Sequence, residues 1–320
     1  MGKDEEFEEL RPLLFSIAYR ILGGVGEAED AVQETWLRFA ASATRPTSTK
    51  AFLAAAVTRI SIDVLRSARV RREEYAGPWL PEPLLGDPYQ DPARSAELAD
   101  SVSTAALLLL ERLSPLERAV FVLRDVFAFG FDDIASAVER SEPACRQLLV
   151  RARRHMAAGR PRFTADRRER QELASRFFGA MRDGDVGGLR RLLAADVRLT
   201  GDGGGKAPQL SRPVVGADNV ARLLGSVVPW LLAAEVSYQP CEINGQPGAV
   251  FHDRTGRVLQ TLGVDILDGR VRAVRAVTNP DKLAHLGPVA DARAINEEVK
   301  RARRRAGRLS CPGSRPAVRA

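Results

Sequence analysis

The sequence predicts a multidomain fold: two all-α modules, the second with a helix-turn-helix, followed by an α+β cone. Three observations predict it. Apolar residues recur at helical spacing through residues 5–74 and again through 105–156. Between those stretches GPWLPEPLLGDPYQDP carries five prolines and leaves no room for a helix. From Glu235 onward the period shortens to two, in VFHDRTGRVLQTL and VDILDGRVRAVRAV, split at Thr-Gly and Asp-Gly turns that suit hairpins. The expected divisions are 1–75, a Pro-rich linker at 76–104, 105–162, 167–286 and a basic tail at 287–320.

In the first module Phe7, Leu10, Leu14, Ile17, Ala18 and Ile21 form one helical face that stops at Gly23-Gly24. A second helix is expected over 27–40 and a third over 52–72, joined by the polar loop ASATRPTST. The third helix sets Arg59, Arg66, Arg69, Arg71 and Arg72 against Asp63, an excess that suits a phosphate backbone. In the linker, Trp79, Leu80, Leu84 and Tyr89 are too apolar for a solvated tether and are expected to dock.

Ser114-Pro115 opens the helix that supports the helix-turn-helix. There Phe131, Ile134, Ala135 and Val138 face inward, the chain breaks at Glu139-Arg140-Ser141, and Ser141 caps a second helix whose positive end suits Glu142. Cys145, Leu148, Leu149, Ala152 and Met156 form its inner face. Arg146, Gln147, Val150, Arg151, Arg153 and Arg154 point outward, and side chains of these types reach base edges and phosphates in a major groove. Helices at 169–182, 186–195 and 218–232 then precede a curved antiparallel sheet, an α+β cone with a pocket at its mouth.

Charge is distributed unevenly. The net charge of +7 misleads, because Lys300 to Arg319 alone holds eight basic residues and no acid. Residues 1–36 hold nine acidic and three basic side chains, whereas 139–170 hold ten basic and four acidic. DNA repels such an acidic end, which should meet a basic protein surface.

Other classes are weakened by what the sequence lacks. Cys145, Cys241 and Cys311 have no metal-ligand spacing and read as reduced thiols; no metal and no cofactor is expected. No targeting peptide or membrane span is expected, since the most apolar window, 220–236, contains Arg222 and Pro229; the expected location is cytoplasmic. Asp202, His252, Asp253 and Asp265 are the acid or base candidates of the cone. None has a spaced partner, so no catalytic residue is assigned.

EAEDAVQETWLR at 27–38, the helix ending ISIDVLRSARVRR, and LSPLERAVFVLRDVFAFGFDDIASAVERSEPACRQLLVRARR together resemble regions two and four of a bacterial extracytoplasmic-function sigma factor of the sigma-70 class. The second half resembles a SnoaL-like domain. GPWLPEPL at 77–84, DGGGK at 202–206 and NPDKL at 279–283 point to the subgroup carrying a SnoaL-like extension, the sigma factor J type. The resemblance implies a subunit that recruits core RNA polymerase to promoter DNA. It implies that Glu29, Asp30, Gln33, Glu34 and Trp36 meet the clamp helices of the largest polymerase subunit. Thr49, Lys50, Thr58, Arg59, Asp63 and Arg66 fall to the −10 element, and Ser141, Glu142, Arg146, Gln147, Arg151 and Arg154 to the −35 element. Many relatives carry Asn where this chain has Arg59 and an aromatic where it has Ala54.

The same resemblance implies that the extension regulates the sigma modules. Trp79, Leu80 and Pro81 of the linker, with Asp202, Lys206, Asn279, Pro280, Asp281 and Lys282, form the expected interdomain contact. A small-molecule ligand of the cone is an open possibility. The rivals are a one-component DNA-binding regulator with a ligand-sensing cone and a cyclase fused to a DNA-binding domain.

Overall fold

The computed structural model describes residues 2–43, 46–73, 75–89, 95–157 and 167–309. The side chains of Arg69, Arg71 and Arg72 and the end of the tail, 310–320, lie outside that description. Helix α1 (Lys3–Leu22) ends where Gly23 turns left-handed at φ 77°, and α2 (Val25–Ala41) and α3 (Thr49–Glu73) complete the first module. Helix α3 starts before the expected Phe52, so Thr49 and Lys50 belong to its first turn and not to the preceding loop.

The linker is extended through 75–89, as its prolines dictate. The expected linker span nevertheless contains a helix, α4 (Ser95–Val102), which starts only after the last proline of the run, Pro92. Helix α5 (Thr104–Leu110) follows, then α6 (Pro115–Phe121), opened by a Ser114–Glu117 capping box and prolonged by a π turn over Val122–Val126. The helix-turn-helix is α7 (Phe131–Val138) and α8 (Glu142–Ala157), with Glu139 left-handed at φ 54° between them. The Ser141 hydroxyl accepts from the Ala144 N–H at 3.4 Å, closing the turn as its residue type requires.

The two α modules are not beads on a string. One continuous apolar core runs from Phe7 to Met156. Two buried arginines pin the join. Arg20 donates to Ser101, to the Ser16 and Leu98 carbonyls and to Asp87, while Arg118 donates to the Leu110 and Ile21 carbonyls and to Glu111 at 2.8 Å. Buried guanidinium groups are tolerable only with such full pairing.

In the second half α9 (Arg167–Arg182), α10 (Val186–Leu192) and α11 (Ala217–Ala233) pack against a six-stranded sheet ordered β2-β1-β6-β5-β4-β3. Its strands are β1 (Leu193–Asp202), β2 (Val214–Val215), β3 (Ser237–Ile243), β4 (Gln246–His252), β5 (Val258–Leu267) and β6 (Arg270–Val277). The expected purely antiparallel sheet is corrected in one place: β1 pairs with β6 in parallel. Consecutive strands joined by tight turns must run antiparallel, but β1 is separated from β6 by a helix and four strands and is free to lie parallel.

Phe177, Phe178 and Met181 of α9 pack into the cone core as their spacing predicts. Past β6 come a short helix, α12 (Pro280–Leu283), a single 3-10 turn, and α13 (Ala292–Leu309). The boundary expected at 286 is corrected too. Val258 donates to the Pro288 carbonyl and Ala290 to that of Val258, and Ala290, Ala292 and Ile295 join the cone core. Among the described residues no helix is long and apolar enough to cross a membrane.

Candidate nucleic-acid interface and interdomain lock

Helix α2 presents Glu29, Asp30 and Gln33 on an exposed face with Glu34 at its edge. Glu29 is paired with Arg11 and Glu34 with Arg38, at 2.9 and 2.8 Å. Trp36 turns inward instead, its ring 5.0 Å from Phe7 and 6.5 Å from Phe39. Leu37, one turn beyond Gln33, is the apolar group left outside at 55 % exposure. Sequence reasoning missed it. The i, i+3, i+7 spacing of Asp30, Gln33 and Leu37 was the available signal.

The face of α3 expected to read the −10 element is occupied. Arg59 donates to the Ala137 and Ser136 carbonyls of α7 at 3.2 and 2.7 Å and lies 3.5 Å from Glu139. Lys50 sits over the Phe129 ring, and the Thr49 hydroxyl donates to Glu6. Thr58 is corrected as a base contact: it is fully buried, its hydroxyl enclosed in the core. Asp63 and Arg66 are exposed and paired with each other at 3.2 Å.

On α8 the situation is the reverse. Arg146, Gln147, Arg151 and Arg154 are exposed, with Arg146 held to Glu142 at 3.0 Å and Arg151 drawn toward Glu117 at 3.6 Å. Arg153, which the helical spacing puts on the outer surface, is spent on Asp125 in a two-pronged pair of 2.9 and 2.7 Å.

The linker meets the cone at Asp202, the last residue of β1, which has no solvent exposure. Its carboxylate accepts from the Tyr75 hydroxyl at 2.5 Å, the Leu80 N–H at 2.8 Å, the Gly204 N–H at 3.1 Å and the Lys282 ammonium at 2.8 Å. Lys282 also donates to the Leu80 carbonyl and lies 4.4 Å from the Trp79 ring and 4.7 Å from that of Tyr75. The Asn279 amide donates to the Tyr75 hydroxyl, and the backbone of Thr278 and Asn279 returns to the Asp202 carbonyl. Burial and the neighbouring carboxylate of Asp202 push the Tyr75 phenol well above its ordinary range, so it stays a donor. Gly204 is left-handed at φ 57°, and a Cβ there would strike Asn279, which explains a glycine in the DGGGK string. Lys206 bridges to Asp281 at 2.5 Å on the surface. Pro280 occupies the first turn of α12, where its missing N–H costs nothing.

Leu80 inserts among Val250, Val258, Val277 and Leu283 on the outer side of the sheet. Pro81 is buried on the other side, close to Gly23, whose left-handed turn lies under Trp79. A second contact was not anticipated. Asn244, at the β3–β4 turn with φ 53°, donates its backbone N–H to the Leu84 carbonyl and accepts the Leu84 N–H at its side-chain oxygen, and its amide donates to Tyr19 at 2.6 Å and to the Val102 carbonyl at 3.2 Å. It reads from sequence as an ordinary hairpin turn, yet it is 2 % exposed.

The cone holds a cavity of about 330 Å³ between α11, α13 and the sheet, walled by Leu199, Leu223, Val227 and Leu231, with Gln209 donating to Thr278 at its edge. Among the described residues no charged side chain lines it. Asp265, the acid of the catalytic alternative, pairs with Arg275.

Comparison with known proteins agrees with this geometry. The sigma-70 region 2 model matches residues 7–71 and the sigma-70 region 4 model residues 103–156. The extracytoplasmic-function sigma factor SigJ of Mycobacterium tuberculosis is 39 % identical over 289 residues, covering 87 % of this chain and 92 % of that protein. Its crystal structure superposes with a TM-score of 0.69 at 36 % identity, covering 88 % and 98 % of the two chains. A probable sigma factor of the same organism, SigI, is 30 % identical over 85 % of this chain and 92 % of its own.

The chain therefore belongs to the extracytoplasmic-function sigma factors of the sigma-70 family, with an α+β cone as its second half. Both sigma regions in one chain favour an RNA polymerase sigma factor over a regulator that bypasses polymerase.

Replacing Asn244 with Ala removes three side-chain hydrogen bonds and puts alanine at positive φ without local compensation. Urea unfolding should show a loss of about 2–3 kcal/mol. Asn244→Gly, which keeps the backbone geometry, should lose about 1 kcal/mol less.

Proposed function

We propose that this sigma factor is held closed by its cone and must open to grip a promoter. The observation that carries the reading is Arg59 of α3 bonded to the Ser136 and Ala137 carbonyls of α7, one turn away from the reading helix α8. Promoter elements named −10 and −35 are about 25 base pairs apart, or roughly 85 Å along B-DNA. An α3 that touches α7 cannot span that distance to α8. The closed form therefore engages at most one element.

In the open form Asp30, Gln33 and Glu34, with Leu37 beside them, bind the clamp helices of the largest polymerase subunit. An acidic stripe around one exposed leucine suits a basic helical partner. Arg59, Lys50 and Arg66 then turn to the melted −10 strand, where cations and stacking capture unpaired bases. Ser141, Glu142, Arg146, Gln147, Arg151 and Arg154 meet the −35 duplex. Asp202, Lys282, Asn279, Tyr75, Trp79 and Leu80 form the lock that holds the linker to the cone, and Asn244 forms a second latch on the first module.

The finer assignment of a ligand rests on the cone cavity. An uncharged lining, mostly apolar but with Gln209, Gln260 and Asn296 in it, suits a neutral small molecule that is mostly hydrocarbon with a hydrogen-bonding end. Gln209 holds Thr278, whose N–H bonds the Asp202 backbone, so occupancy reaches the lock in two steps. A series of neutral 1-alkanols should bind saturably, each added methylene tightening binding about fourfold until the cavity is full. Val227→Trp should abolish the effect.

Lys282→Met tests the lock. It leaves a buried carboxylate without its cation, a loss of about 3 kcal/mol at that contact. With purified core polymerase, promoter-dependent transcription should rise several-fold and protease cleavage within 75–84 should accelerate. Unchanged transcription would count against regulation by the cone.

A further inference from the structure

Val150 is 56 % exposed, at the centre of the outer stripe of α8. A single exposed valine on a surface is ordinary. This one is not scattered: Arg146 and Gln147 lie one turn before it, Arg151 beside it and Arg154 one turn after. Valine is a poor choice for an exposed helix position on propensity alone. The cations around it lean away from it. Arg146 stacks 4.1 Å from the Phe131 ring and pairs with Glu142, and Arg151 is drawn to Glu117. What remains is a shallow concavity lined by Arg146, Gln147, Val150 and Arg151, with the isopropyl group in its middle.

We infer that Val150 is a specificity residue that reads the C5-methyl group of a thymine in the −35 element. This rests on the reading of α8 as the major-groove helix. The argument is one of chemical matching. Every other base-edge group in the major groove is a hydrogen-bond donor or acceptor, for which Arg146, Gln147 and Arg151 are equipped. The thymine methyl is the one substantial apolar group there, and Val150 is the one apolar side chain of the stripe. An isopropyl group over a phosphate or a polar base edge would desolvate it without return. Over a thymine methyl, both partners lose apolar surface to water.

The test uses the full chain with core polymerase. Duplexes selected by this holoenzyme from a randomised library are remade with each thymine replaced singly by deoxyuridine, which differs only in lacking the methyl. One −35 position should lose about fourfold in affinity, the value of one buried methyl group. Val150→Ala, which improves helix propensity, should bring that ratio to within about twofold of unity while leaving the salt dependence set by Arg146 and Arg151 unchanged. Deoxyuridine that is neutral at every position overturns the inference, as does a penalty that persists in Val150→Ala. A variant that instead weakens binding to core polymerase makes Val150 a protein contact, and the inference falls. Failure to select any duplex overturns the underlying promoter reading as well.

Discussion

The carboxylate of Asp202 constrains the rest of the molecule. A carboxylate with no solvent exposure costs several kcal/mol unless donors surround it, and this one has four. Two come from the linker, Tyr75 and the Leu80 N–H, and two from the cone, Gly204 and Lys282. Neither half alone satisfies the charge. The ammonium of Lys282 is in turn covered by the Trp79 and Tyr75 rings, which strengthens the pair by excluding water. Linker and cone are therefore held as a unit, and pulling the linker away removes two of the carboxylate's donors and the rings that cover Lys282.

That constraint propagates through the chain by short steps. Fixing Leu80 against the outer side of the sheet fixes Pro81 against Gly23, and the next residues carry Leu84 to Asn244. The cone thus grips the joint between the α modules while the outer face of α8 stays in solvent. The acidic stripe of α2 and the basic stripe of α8 are both exposed, whereas α3 faces α7. Covering the reading helix, the simplest form of inhibition, is not what the geometry does. In the closed form proposed above, restraint falls on the separation of α3 and α8, with Arg59 spending its hydrogen bonds on α7.

Much of this was legible in the sequence because the local signals were strong. Ser141 after a helical apolar run, the Ser114-Pro115 start and the glycine stop at Gly23 each act within a few residues. What escaped notice depends on distant partners. Strand β1 follows straight on from a short helix in LAADVRLTGD, whose small and apolar residues carry no clear period, and only pairing with β6 makes it a strand. Asn244 is an unexceptional turn residue until Tyr19, 225 positions away, meets its amide. Thr58 shows the opposite error: a family motif names a position, but burial decides which side chains of a helix face outward. Asp202 and Lys282 were singled out by short strings, and the reason for those strings is the buried pair they make.

The central claim is that the two readers are together in the free protein and apart on polymerase. A spin-label or fluorescence distance between Asp63 on α3 and Arg154 on α8 tests it most directly, first in the isolated chain and then in a transcribing complex. The account predicts a short, narrow distribution in the free chain that lengthens toward the roughly 85 Å separation of the promoter elements on assembly. A distance that remains short in an active complex would contradict it.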